Sequence, residues 1–63
     1  MSEIWLNGAM VAQQNYPNRH PDKGDIIELS LDGPYEEFVV ERKAVFYDRQ
    51  GGMTERIFVV LSP

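Results

Sequence analysis

Cysteine is absent from the 63-residue chain. That excludes disulfide staples, thiolate zinc sites and thiol nucleophiles. Small secreted domains usually lean on disulfides, so a reducing compartment is expected. Long apolar runs are missing as well. The longest, Ile57–Leu61, has five residues, against the ~20 that a bilayer-spanning helix needs. The start, Met1-Ser2-Glu3, shows neither a basic region nor an apolar stretch, so no secretory signal is read there and a cytoplasmic location is expected. Positive charge is scarce: six Lys+Arg face ten Asp+Glu, for a net charge of −4. An acidic surface repels phosphate backbones, so general nucleic-acid binding is disfavoured. It suits a basic partner, or simply keeps the chain soluble.

Length permits one domain, residues 1–63, because a domain usually takes about 100–200 residues. A chain this short buries only about 60% of its unfolded surface, so its core is small and its stability marginal. Hydrophobic residues make up 43% and aromatics 11%, which is too much for a disordered tail.

Short apolar stretches alternate with turn residues, and that pattern reads as all-β. Asn7-Gly8 lies between Glu3–Leu6 and Ala9–Gln13, and Asn-Gly between apolar runs is the strongest short hairpin signal. A two-residue turn pairs Leu6 with Ala9, Trp5 with Met10 and Ile4 with Val11. The competing reading caps a short helix with Asn7, at about 8–15. Gln14–Gly24 forms the longest polar loop. Pro17 and Pro21 forbid regular pairing there, and a loop of this length in so small a domain is often functional. Asp25–Leu31 alternates, with Ile27, Leu29 and Leu31 inward. A long strand runs from about Glu37 to Tyr47, with a bulge near Arg42–Ala44 to keep its faces in phase. Asp48–Met53 turns the chain, and Thr54–Leu61 returns with both faces apolar, as a central or doubly covered strand would. These elements predict a small five-stranded antiparallel sheet curled into a partly open barrel. The fallback is a three- to four-stranded sheet with the helix at 8–15. Trp5, Met10, Phe58 and Val60 are expected on a second apolar face, hidden by curling or self-association.

Pro21-Asp22-Lys23-Gly24-Asp25-Ile26-Ile27-Glu28-Leu29 resembles the strand entry of Src-homology-type small β-barrels. Phe38-Val39-Val40-Glu41-Arg42, Val45-Phe46-Tyr47 and the closing Val59-Val60-Leu61 are similar to small barrels of bacteriophage and prophage genomes. The resemblance covers about two-thirds of the chain. It implies a binding or assembly module of phage origin acting inside the host cell, and no catalytic residue carries over from it.

Candidate chemistry is thin. His20, the only histidine, reads as a solvated loop residue; with Asp22 and Asp25 it matches no metal-ligand spacing. Glu36 and Glu37 are adjacent, so a strand points them to opposite faces rather than into one acid–base cleft. No nucleophile elbow is present, and Gly51-Gly52 lacks the spacing of a phosphate loop. No catalytic residue, metal or cofactor is therefore expected. The leading expectation is a non-enzymatic protein-interaction module, an assembly protein or an inhibitor that docks on a host protein. Its docking residues would be Tyr16, Asn18, Arg19 and His20 of the long loop, with Trp5 and Tyr35, since aromatic residues and Arg dominate binding hot spots. A second reading is a homo-oligomer that holds a small anionic ligand such as a nucleotide through Arg42, Lys43, Arg49, Arg56 and Tyr47. A third is weak nucleic-acid binding through the same residues.

Overall fold

The computed structural model describes residues 1–63 and contains five strands and no helix. They are β1 (Ser2–Leu6), β2 (Ala9–Gln14), β3 (Ile26–Leu29), β4 (Glu36–Tyr47) and β5 (Met53–Leu61). They form one sheet in the order β2-β1-β5-β4-β3, which curls through 199° into an open half-barrel. The all-β, five-stranded, partly open barrel is thus the architecture, and residues 9–14 are strand rather than helix. One pairing departs from the antiparallel expectation: β1 runs parallel to β5, Ser2 opposite Glu55 through Leu6 opposite Val59. The sheet is mixed because the two ends of the chain meet at its centre.

Local chemistry explains the turns. Asn7 and Gly8 both have positive φ, 53° and 80°, as a type I′ hairpin requires. Leu6 pairs with Ala9 and Trp5 with Met10, but Ile4 pairs with Ala12, not Val11. One extra residue is therefore bulged out of β2, which adds twist. The second bulge lies between Val40 and Arg42, just before the stretch where the sequence places it. It lets Phe38 and Val40 share a face with Lys43 and Val45. In the β4–β5 turn, Asp48 Oδ1 accepts the N–H groups of Gln50 and Gly52. A Cβ on Gly52 would come within 2.5 Å of Asp48 Oδ2, so a larger residue there would displace the carboxylate that accepts these two N–H groups.

The concave face carries the core: Ile4, Leu29, Phe38, Val40, Ile57 and Val59, all buried. Leu6, Ala12, Tyr16, Ile27 and Leu31 pack around it. The convex face carries Trp5, Phe58, Arg42, Arg56 and Phe46. Trp5 and Phe58 do share that face, but it is not bare. The Arg42 guanidinium sits 3.8 Å from the Phe58 ring centroid, and that of Arg56 lies 4.6 Å from both Trp5 and Phe46. Arginine stems and planes thus partly cover Trp5 and Phe58, an attraction of about 0.5–1 kcal/mol each at exposed sites, while Phe46 stays 46% and Met10 45% exposed. Beyond Ser2 and Glu55 the β4–β5 hairpin has no β1 partner and projects as a two-stranded ribbon.

Candidate functional site: a closed end and an open end

The half-barrel has two chemically different ends. At the first, the loop after β2 folds back over the concave face and closes it. Pro21 is buried, and Tyr16 packs on the core beside His20, ring centroids 5.8 Å apart. Glu55 lies beneath. Alternation along β5 points it inward with Ile57 and Val59, and only 6% of its side chain is exposed. Its Oε2 accepts from His20 Nδ1 at 2.8 Å, and Lys43 Nζ sits 3.3 Å from Oε1 and 3.2 Å from Asp22 Oδ1. Oε1 has no aligned hydrogen bond of its own. The ammonium neutralises it without a well-directed donor.

This network corrects the sequence reading of His20. It is not a solvated residue: it bolts the loop to a carboxylate 35 positions away. Nor do His20, Asp22 and Asp25 converge on one point. Asp25 accepts from Arg19 at 2.7 Å and from the Asp22 N–H at 2.9 Å, while Asp22 faces Lys43. The Asp25 carboxyl is held below its usual range, by the Asp22 N–H first and then by Arg19.

Two groups at this end make stability depend on alkaline pH. Burial pulls the Lys43 ammonium down, but the adjacent Asp22 and Glu55 carboxylates favour its charged form and outweigh that, so its pKa is raised from 10.5. Burial, then the Glu55 charge, raises the Tyr16 phenol from 10.0. A raised folded-state pKa contributes stability in full below the unfolded value and loses it as pH climbs through the folded value. The thermal midpoint should therefore hold level to about pH 10 and fall above it. Lys43→Met and Tyr16→Phe should each flatten part of that fall in a calorimetric pH series. A midpoint unchanged to about pH 12 would contradict the assignment.

The other end is open and apolar. Leu6 from β1, Leu29 from β3, Phe38 from β4, Val60 and Leu61 from β5, and Leu31 from the β3–β4 turn line a cleft of about 450 Å³. Asn7, Asp32, Gly33, Pro34 and Glu36 complete its rim. Leu61 is 58% exposed, and Tyr35, between two rim residues, is 74% exposed.

Negative charge gathers around this end: Asp32 and Glu36 stand on the rim, and Glu28 and Glu37 lie on the strands beside it, while Glu41 sits further along β4 at the bulge. The side chains of Glu28, Asp32, Glu36, Glu37 and Glu41 make no ion pair and no hydrogen bond. All five fall between residues 26 and 41, a stretch with no Lys or Arg. The other five acids and the six bases nearly balance, so this stretch carries the protein's net charge. That signal is legible in the sequence and is the one its reading passes over. Glu28 and Glu37 also stand directly opposite each other on neighbouring strands, an arrangement that repels.

The expected site residues are scattered by this geometry. Tyr16 and His20 turn inward, while Asn18 and Arg19 stay exposed, Arg19 paired with Asp25. Trp5 is half-buried on the convex face, its Nε1 donating to Glu3 at 2.9 Å. Of the six residues assigned to partner docking, Tyr35 alone stands beside the cleft. The basic cluster does not form either. Lys43 points to the concave face and Arg42 and Arg56 to the convex one, because the Glu41 bulge and strand alternation separate them. Arg56 Nε is bonded to Glu3 at 3.0 Å rather than to a residue of the last hairpin. Arg49 and Tyr47 lie at the projecting ribbon's tip, exposed.

No helix is present that is long and apolar enough to cross a membrane. Set beside known proteins, the chain matches no family model, and no curated protein and no solved structure is detectably similar to it.

Proposed function

We propose that this protein is a non-enzymatic interaction module that docks on a partner protein through the cleft at the open end of the half-barrel. The observation that carries the reading is the coincidence there of an uncovered apolar hollow and the unbalanced negative charge. The polar loop, by contrast, is committed inward by Tyr16, Pro21 and His20. Apolar lining supplies affinity, and a rim of like charge selects a basic surface and speeds encounter. A phage-borne inhibitor or assembly protein would act in this way, by occupying a surface of a host or virion protein.

The test uses tagged protein recovered from a lysate of its own host, with native mass spectrometry as the readout. Wild type should retain one protein at fixed stoichiometry. Leu61→Asp, at an exposed cleft position, should lose it while keeping the wild-type circular dichroism spectrum. The double variant Asn18→Ala, Arg19→Ala should retain it. Equal capture by the cleft variant, with loss in the loop variant, would move the site to the loop.

A further inference from the structure

Resting on that docking reading, we propose that the cleft and the free edge of β3 together take an extended segment of the partner as a sixth strand, in which apolar residues alternate with Lys or Arg.

The edge is open. β3 pairs only with β4, so half its backbone groups have no ladder partner. Val40 donates its N–H to the Asp25 carbonyl at 2.9 Å. Counting in twos along the antiparallel register from that bond, Ile27 and Leu29 direct their amides at β4, while Ile26 and Glu28 direct theirs outward. Sheet edges are commonly guarded by lysine, proline or a bulge. Ile26–Leu29 has none of these; its guards are its four-residue length and the one charge of Glu28, which a cationic segment would turn into an attraction, and Ile26 is 52% exposed.

The alternation follows from the two faces. A strand laid beside β3 projects every second side chain to the concave face, next to Ile27, Leu29 and the cleft. Apolar residues fit there. The intervening side chains project to the convex face, beside Ile26 and Glu28, with Glu37 one strand further in and within reach of a long Lys or Arg side chain. A cation at that position relieves the repulsion of the opposed carboxylates. Backbone bonding supplies affinity and the two faces supply selectivity, as in other strand additions.

A second copy of this chain fits poorly. Two β3 edges brought together would bring Glu28 and Glu37 of each copy near those of the other. The other edge strand, Ala9–Gln14, carries no Lys or Arg to offer.

The test is ¹⁵N NMR titration of the full chain with three synthetic peptides: KVKIKVK, the same composition in blocks (KKKKVIV), and the acidic EVEIEVE. The alternating basic peptide should slow hydrogen exchange of the Ile26 and Glu28 amides and shift the Leu31 and Leu61 signals. The block peptide should bind at least about tenfold more weakly and the acidic one not at all, and affinity should fall about tenfold between low and 0.5 M salt. Glu28→Lys with Glu37→Lys should lose about tenfold or more while the rest of the spectrum is kept. Equal binding of the two basic peptides, unprotected Ile26 and Glu28 amides, or no binding at millimolar peptide would overturn strand addition. If capture from lysate still depends on Leu61, docking at the cleft survives that result. If capture does not depend on Leu61, docking at the cleft falls, whatever the peptides do.

Discussion

Glu55→Ala is expected to lower the unfolding free energy by about 3 kcal/mol, with the loop after β2 coming loose first. Removing one partner of a buried ion pair costs about 3–5 kcal/mol because the other charge is left without compensation. The lower end applies here, since Lys43 keeps Asp22 at 3.2 Å and His20, 38% exposed, can turn to water. For a chain of 63 residues, total stability of about 0.05–0.15 kcal/mol per residue leaves little reserve. The loss should appear as a fall in melting temperature of roughly 12–24 °C. Trypsin should then cut sooner after Arg19 and Lys23, which the His20 contact holds down in the wild type. Glu55→Leu with Lys43→Met tests the cause. It removes both charges and fills the space, and apolar replacement of a buried pair is often neutral or better, so most of the loss should return. A Glu55→Ala protein within about 0.5 kcal/mol of wild type would mean that water screens the pair as it does at a surface.

What could be read in advance divides along physical lines. Local signals were legible. Asn7-Gly8 demanded positive φ and received it. Ile57 and Val59 alternated into the core, and the long strand needed a bulge before its faces could agree. The parallel β1–β5 pair was not legible, because nothing local marks a contact between strands some fifty positions apart. His20 and Glu55 meet for the same reason: topology, not spacing, brings them together. One clue was present. Extending the Ile57–Val59 alternation back by two places Glu55 on the buried side, and a buried carboxylate needs a cationic partner. The cleft was invisible in sequence because the tips of four strands and one turn build it. The charge beside it was in plain view, as a run of acids from Glu28 to Glu41 without a base.

Phe38→Ala should be the most damaging substitution at the open end, because this side chain belongs both to the core and to the cleft. Phe38 is 3% exposed, packs with Ile4, Leu29, Val40, Ile57 and Val59, and lines the hollow. Truncating a buried Phe to Ala costs about 3–5 kcal/mol, from lost transfer energy and the cavity left behind. In a domain whose total is of that order, urea titration at room temperature should find much of the protein already unfolded. Val40→Ala separates the two roles. Val40 is as deeply buried but does not line the cleft, and a smaller side chain is removed, so the expected loss is milder, about 1–3 kcal/mol. Phe38→Leu keeps an apolar side chain of nearly the same reach and should cost less than the Ala change. Were Phe38→Ala to cost less than Val40→Ala, the hollow beside Phe38 would be able to collapse onto the gap, and the cleft would be soft rather than preformed. A cleft that holds its shape requires the reverse order, and on that order the rigid docking surface depends.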